Sequence, residues 1–257
     1  MILRRFIVPE TGCASYLFGC TSKGELGVVD PHADLVSEYV SAADAVGARI
    51  TQVFDTHVHA DHASGARELA ASAGAALRLP ERAPVEFDFE SLRDGEKVVL
   101  GNTRVEVIST PGHAWAHDCL LVIDTTRGPD PWLVFTGDTL FVGAVGRPDL
   151  HGEERELAQA LQRSIRDRLL TLPDWVEVHP GHVGGSACGA GISANPSSTI
   201  GFERRHNPLL NGDGRDFVDR VLADLSPAPA EFARIYERNK RGRERSAQPN
   251  RGGTDGG

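Results

Sequence analysis

Cysteine is scarce in this sequence, four residues in 257, and no two of them make a Cys-x-x-Cys pair. Cys13, Cys20, Cys119 and Cys188 therefore support neither a disulfide framework nor a zinc ribbon, and each is expected to be a buried or semi-buried free thiol. No apolar run approaches the roughly 20 residues needed to cross a bilayer. The start, Met1-Ile2-Leu3-Arg4-Arg5-Phe6, also lacks the hydrophobic stretch of a signal peptide. The expectation is a cytoplasmic protein with no membrane partner. Positive charge is in deficit as well: 27 Lys and Arg against 36 Asp and Glu give a net charge of −9. Binding nucleic acid needs a basic face that neutralises phosphates, so no nucleic-acid partner is expected. Internal repeats are lacking too.

What is present suits one substantial core: 40% hydrophobic and 25% charged residues over this length are ordinary for a globular chain. Leu26 to Val29 reads as a short buried strand stopping at Asp30-Pro31. A helical pattern follows, with Leu35, Tyr39, Ala43 and Val46 on one face and Gly47 closing it. Ile50 to Asp55 is β-rich, and Ala66 to Ala73 reads as helix ended by Gly74. Apolar runs at Val98–Leu100, Val105–Ile108, Cys119–Ile123, Trp132–Phe135 and Trp175–Val178 predict strands. A long helix with Leu157, Leu161, Ile165 and Leu169 four apart sits between the last two. A short helix with Phe217, Val218, Val221 and Leu222 inward comes later. Strands and helices mix without strict alternation, which favours an α/β fold of sheets covered by outer helices. A single catalytic domain over 1–237 and a frayed tail over 238–257, rich in Arg, Lys and Gly, are expected.

The chemistry concentrates at His57-x-His59-x-Asp61-His62, at the mouth of a strand. In extended backbone, residues two apart point to the same side, so His57 and His59 can reach one centre while the turn swings Asp61 and His62 toward a second. Four metal-competent side chains in six residues are hard to explain as core filling. Three later segments repeat one device, a strand end, a glycine turn and a ligand: Thr110-Pro111-Gly112-His113, Thr136-Gly137-Asp138-Thr139 and His179-Pro180-Gly181-His182. Each glycine permits the sharp backbone that aims a side chain into a cleft.

The order His-x-His-x-Asp-His, Pro-Gly-His, Gly-Asp, Gly-His resembles the metallo-β-lactamase superfamily, over roughly residues 6 to 210 by the placement of these motifs. The resemblance implies an αββα sandwich with metal along one edge. In binuclear members the positions of His57, His59 and His113 bind one metal, those of Asp61, His62 and His182 the other, and that of Asp138 bridges. Thr56 to His62, Thr136 to Phe141, Gly146-Arg147-Pro148-Asp149-Leu150 and Ser198 to Arg205 resemble more closely the persulfide (sulfur) dioxygenase branch, a neighbour of glyoxalase II. That branch implies one Fe(II) per chain on His57, His113 and Asp138, with His59, Asp61, His62 and His182 around it. It also implies a small thiol persulfide and O2 as the partners. Two histidines and one carboxylate are a donor set of non-haem Fe(II) oxygenases, leaving about three positions open.

After Pro-Gly-His many relatives read Thr-Pro, where this chain has Ala114-Trp115-Ala116-His117, and His117 is either an extra pocket group or a surface histidine, with the surface preferred. Arg147 either orients an anionic substrate or braces its loop through Asp149, with bracing preferred. His32, His151 and His206 fall outside the ligand pattern. Only about fifty residues follow the family-like segment, too few for a rhodanese-like module. The rival reading is a thioester hydrolase resembling glyoxalase II, with two Zn activating a bridging water. A sulfur carrier or redox sensor ranks last, because only Cys188 falls near the site and the ligand set would go unexplained. Glutathione, coenzyme A and other small thiols are all candidate carriers, and a homo-oligomer is compatible with either enzyme reading.

Overall fold

The structure, a computed structural model, describes residues 1–211 and 214–242. Six strands form one sheet in the order β1 (Ile2–Val8), β2 (Cys13–Cys20), β3 (Glu25–Val29), β4 (Arg49–Phe54), β5 (Ala76–Pro80), β6 (Glu90–Leu92). A second sheet runs β12 (Ser198–Thr199), β11 (Glu177–Pro180), β10 (Leu133–Gly137), β9 (Asp118–Asp124), β8 (Thr103–Ser109), β7 (Lys97–Leu100). Most pairs are antiparallel, whereas β3–β4, β4–β5, β5–β6 and β10–β11 are parallel. The helices are α1 (Val36–Asp44), α2 (Ala66–Ala73), α3 (Glu154–Arg163), α4 (Ile200–His206), α5 (Phe217–Ala223) and α6 (Phe232–Arg241).

Period-two alternation explains the layering. Tyr16 and Phe18 on β2 and Leu120 and Val122 on β9 face between the sheets, where they meet Phe54, Val105, Val107 and Phe135. Their neighbours point outward: Leu17 packs with α1 and α2, while Cys119, Leu121 and Ile123 pack under α3 and α5. Strands covered on both faces read as continuous apolar runs instead of alternating ones. The result is the αββα sandwich expected above.

Several details depart from the sequence reading. That reading assigned no strand to residues 1–24, yet β1 and β2 form an antiparallel ladder there, and all eight residues of β2 are buried. Cys-Ala-Ser-Tyr-Leu-Phe-Gly-Cys carries small and polar residues that weaken its propensity, and burial between neighbours overrides this. The long helix is also not uniform, because α3 passes into a π-helical turn over Ser164–Leu169. Residues four apart drift by roughly 40° per step in an α-helix. A wider turn keeps Ile165 and Leu169 fully buried in line with Leu157 and Leu161. The expected tail begins too early: α6 continues through Arg241, and the rest of that stretch, 243–257, lies outside the described residues. No helix among the described residues is long and apolar enough to cross a membrane.

Four loops leave the strand ends at one rim, after β4, β8, β10 and β11. Because β4 belongs to one sheet and the other three to its partner, the loops meet over the seam. The seam is tied by Ala14 N–H donating to Gly181 O at 2.7 Å and Tyr16 O–H to Pro180 O at 2.7 Å.

Asp118, at the start of β9, is buried, with one carboxyl oxygen taking the Ser109 hydroxyl and the other unpartnered. Burial pushes its pKa up to about 6. A raised carboxyl pKa favours the folded state below the unfolded value near 4, and that contribution is lost as pH rises through about 6. Asp118→Asn should remove this slope and stabilise the protein at pH 7 by on the order of 2 kcal/mol. Urea unfolding of both proteins at pH 4.5 and pH 7 checks it; parallel pH dependence in the two would refute the assignment.

Candidate metal centre

The backbone delivers His57, His113 and Asp138 to one point, their ligand atoms lying within 4.8 Å of one another. All three are buried. Each imidazole has one nitrogen committed elsewhere, and this fixes which nitrogen is free. Thr56 donates its hydroxyl to Asp30 at 3.0 Å, so its oxygen accepts from His57 Nδ1 at 3.0 Å and leaves the His57 Nε2 lone pair unpartnered. His113 Nδ1 donates to Arg147 O at 2.8 Å, which turns Nε2 toward Asp138 Oδ2, 3.7 Å away. Asp138 Oδ2 is itself without a hydrogen-bond partner. Burial, and then the neighbouring His59, His113 and His117, push His57 well below the usual imidazole range, so it is neutral and able to act as a ligand. Two lone-pair nitrogens and an orphaned carboxylate oxygen, all dry and converging, are the donor set a cation fits.

His59 is not in that group. Its Nε2 donates to Asp30 Oδ1 at 3.1 Å and lies 3.7 Å from Asp55 Oδ1, although its Nδ1 is left free on the site side, next to the His57 ring. Asp61, His62 and His182 form a second cluster. Asp61 Oδ2 accepts from His62 Nδ1 at 3.1 Å, from His182 Nε2 at 2.8 Å and from the Cys13 thiol at 3.0 Å. His182 donates its other nitrogen to Asp138 Oδ1 at 3.0 Å. Burial opposes its charge, but Asp138 and Asp61 outweigh that and hold His182 well above the usual range, as an imidazolium between two carboxylates. His62 keeps an unpartnered Nε2, and Cys188 groups with Asp61 and His182.

Two expectations need correction. His117 is not on the surface: it is buried, stacks on His57 at 5.1 Å, and its Nε2 accepts the Asp138 N–H at 3.0 Å. Burial, and then His113, push it down to about 3, so it stays neutral and aims the ligand aspartate. Trp115, by contrast, is the exposed member of that loop, donating to Glu153 at 2.8 Å. Cys188 is also not the only thiol at the site, since Cys13 on β2 touches Asp61. The expected free, buried state of all four cysteines agrees with the structure.

Sequence reading also missed Asp30, Asp55 and Thr56. Asp30 sits in a left-handed conformation, φ 50°, where a non-glycine residue is strained. The one trace in the sequence was a charged residue ending a buried strand, before Pro31.

Arg147 is buried and fully engaged: it forks onto Asp149 with two bonds of 2.7 Å, reaches Ala187 O and Ser226 O, and presents its own carbonyl to His113. That geometry braces the loop and leaves no guanidinium nitrogen facing a substrate. Outside the centre, Arg204 pairs with Asp174, and His206 lies against Phe202. His151 lies against Tyr236, whereas His32 stacks on His62 at 5.1 Å, closer to the ligand cluster than its sequence position suggested.

An αββα sandwich whose strand-end loops converge buried histidines and aspartates defines a metal-centred protein. The chain belongs to the metallo-beta-lactamase superfamily, whose family model matches residues 9–182. An uncharacterized protein of Mycobacterium tuberculosis is 43% identical over 143 residues, 56% of this chain. The matched segment spans only 54%, about half, of that relative's length. The human mitochondrial persulfide dioxygenase ETHE1 is 25% identical over 90% of this chain and 85% of its own. A hydroxyacylglutathione hydrolase of Nitrosococcus oceani is 32% identical over 65% and 61%. Among solved structures, a metallo-beta-lactamase from Staphylococcus aureus superimposes with a TM-score of 0.88 at 31% identity, covering 95% of this chain and 73% of that one. ETHE1 from Myxococcus xanthus gives 0.81 at 28%, covering 93% and 98%.

Close approach explains two glycines of the motifs. A Cβ on Gly146 would lie 1.7 Å from Asp138 O, and one on Gly181 2.6 Å from Asp138 Oδ1. Gly146→Ala must therefore push Asp138 out of place. We expect a stability loss of about 1–3 kcal/mol, typical of overpacking, together with loss of bound metal. Elemental analysis with thermal unfolding tests this, and a variant with full metal content would show the contact to be dispensable.

Proposed function

We propose that the protein is a persulfide dioxygenase, holding one Fe(II) on His57, His113 and Asp138 and oxidising the outer sulfur of a small thiol persulfide to sulfite. The observation that carries this is the buried two-histidine, one-carboxylate group, with His57 Nε2 and Asp138 Oδ2 unpartnered, a set that suits O2 chemistry. The near full-length similarity to persulfide dioxygenases supports it, whereas the hydroxyacylglutathione hydrolase match covers a shorter part of the chain. When bound, iron supplies the O2 chemistry that side chains lack. The overall balance is one persulfide anion, one O2 and one water giving thiol and hydrogen sulfite.

The chain's own contribution is positional and electrostatic. Thr56 and Arg147 O fix the ring nitrogens of His57 and His113, and His117 fixes the Asp138 backbone. The imidazolium of His182 occupies Asp138 Oδ1 and spares Oδ2 for the metal. Three donors on Asp61 Oδ2 tie the second cluster to itself. Burial of His57, His113 and Asp138 keeps bulk water from the ligand atoms. Neither nucleic acid nor membrane enters this reading, and a homo-oligomer is compatible with it.

The unpartnered His59 Nδ1 and His62 Nε2 favour a second reading, in which two metals are held and a water is activated for thioester hydrolysis. Oxygen separates the two. Protein purified without added metal should carry about one iron per chain, and with a low-molecular-weight persulfide it should consume dissolved O2 and release sulfite. Thiol alone should give no uptake, and Asp138→Ala and His113→Ala should be silent, each with its fold retained. A flat oxygen trace with several persulfides, two zincs per chain and rapid cleavage of lactoylglutathione would establish the hydrolase instead.

A further inference from the structure

The loop carrying the ligand residues 57–62 has no strand partner along its length, and the buried carbonyls of His59 and His62 must find donors elsewhere. Both find the same one. Asn239 on α6 donates one Nδ2 hydrogen to His59 O at 2.9 Å and the other to His62 O at 2.8 Å, while its Oδ1 accepts Ser64 N–H at 3.1 Å. The whole carboxamide is spent on the backbone of a loop 175 to 180 residues away. Among side chains of this length only asparagine offers two donors and an acceptor: aspartate lacks the donors, and leucine lacks both.

The helix that carries Asn239 is held in register at both ends. Phe232 is buried against Ala60, Phe141, Ala144 and Cys188, Tyr236 lies on His151, and Lys240 O accepts the Glu86 N–H at 2.9 Å. The side chains of the clamped residues abut the centre: the His59 ring is 4.3 Å from both His57 and His62. A shift of the loop backbone is therefore a shift of His57.

We infer that Asn239 is a positioning residue of the metal centre, and that α6, which lies outside the segment matched by the family model, is a working part of the site. The inference rests on the reading that this loop holds a metal, but not on whether the reaction is oxidation or hydrolysis.

The test compares Asn239→Leu and Asn239→Asp with Arg234→Gly, which weakens α6 at an exposed position. Metal-free protein is titrated with Co(II) against a chelator, its visible spectrum is recorded, and hydrogen exchange of the 57–65 segment is followed without metal. Both Asn239 variants should bind Co(II) at least tenfold more weakly with shifted ligand-field bands, and both should exchange faster over 57–65. Arg234→Gly should stay within twofold in affinity, with an unchanged spectrum. Equal losses in Asn239→Leu and Arg234→Gly would make Asn239 an ordinary part of helix docking, and a wild-type-like Asn239→Asp would remove the carbonyl contacts from the argument; either overturns the inference. Wild-type protein that binds no Co(II) would instead sink the metal reading, while faster loop exchange in the Asn239 variants would still establish the clamp.

Discussion

Asp30 accepts three hydrogen bonds where β3 ends, from the Thr56 amide at 2.7 Å, the Thr56 hydroxyl at 3.0 Å and His59 Nε2 at 3.1 Å. Since the Thr56 proton goes to Asp30, the hydroxyl oxygen is left to accept from His57, and the free lone pair of His57 falls on Nε2. The first ligand is thus aimed by a carboxylate it never touches. The strained backbone of Asp30 is tolerated because these bonds and the parallel pairing of β3 with β4 fix it from several sides. Without that carboxylate, two histidines would lose their orientation in a dry site.

The same logic recurs around the centre. His113 is oriented by a carbonyl whose position depends on the Arg147–Asp149 fork, and Asp138 by His117 on its backbone and His182 on its side chain. His57, His113 and Asp138 each have one committed atom and one directed at the others, whereas His182 has both ring nitrogens committed to carboxylates. Charge is managed alongside geometry: the His182 imidazolium lies between Asp138 and Asp61, so the buried carboxylates do not face one another unpaired. A cation entering this site would meet ligands already desolvated and aimed, which favours binding over search.

Because the centre sits over the seam, it depends on both sheets at once. β4 supplies the His57 loop and β8, β10 and β11 supply the others, with β2 crossing beneath to reach Pro180, Gly181 and, through Cys13, Asp61. Helix α6 closes the arrangement from the far end of the chain. Large separation along the sequence between groups in direct contact is what ties the site's integrity to the fold as a whole.

The sequence by itself determined the ligand chemistry and the layered architecture. His57-x-His59-x-Asp61-His62 and the glycine-flanked His113, Asp138 and His182 are local patterns, and strands buried on both faces read as local, continuous apolar runs. Local signals missed β1, a half-exposed edge strand that pairs with β2 alone, and β2 itself, whose small and polar residues become strand only through burial between neighbours. They also misplaced His117, since nothing adjacent to a histidine says whether it meets solvent or the amide of a residue 21 positions on. That His57, His113 and Asp138 converge while His59 turns to Asp30, that Cys13 reaches Asp61, and that Asn239 holds the loop were decided by tertiary structure alone. The reason is physical: a hydrogen bond between distant residues depends on where the packed sheets bring their ends, and that placement is a property of the whole core.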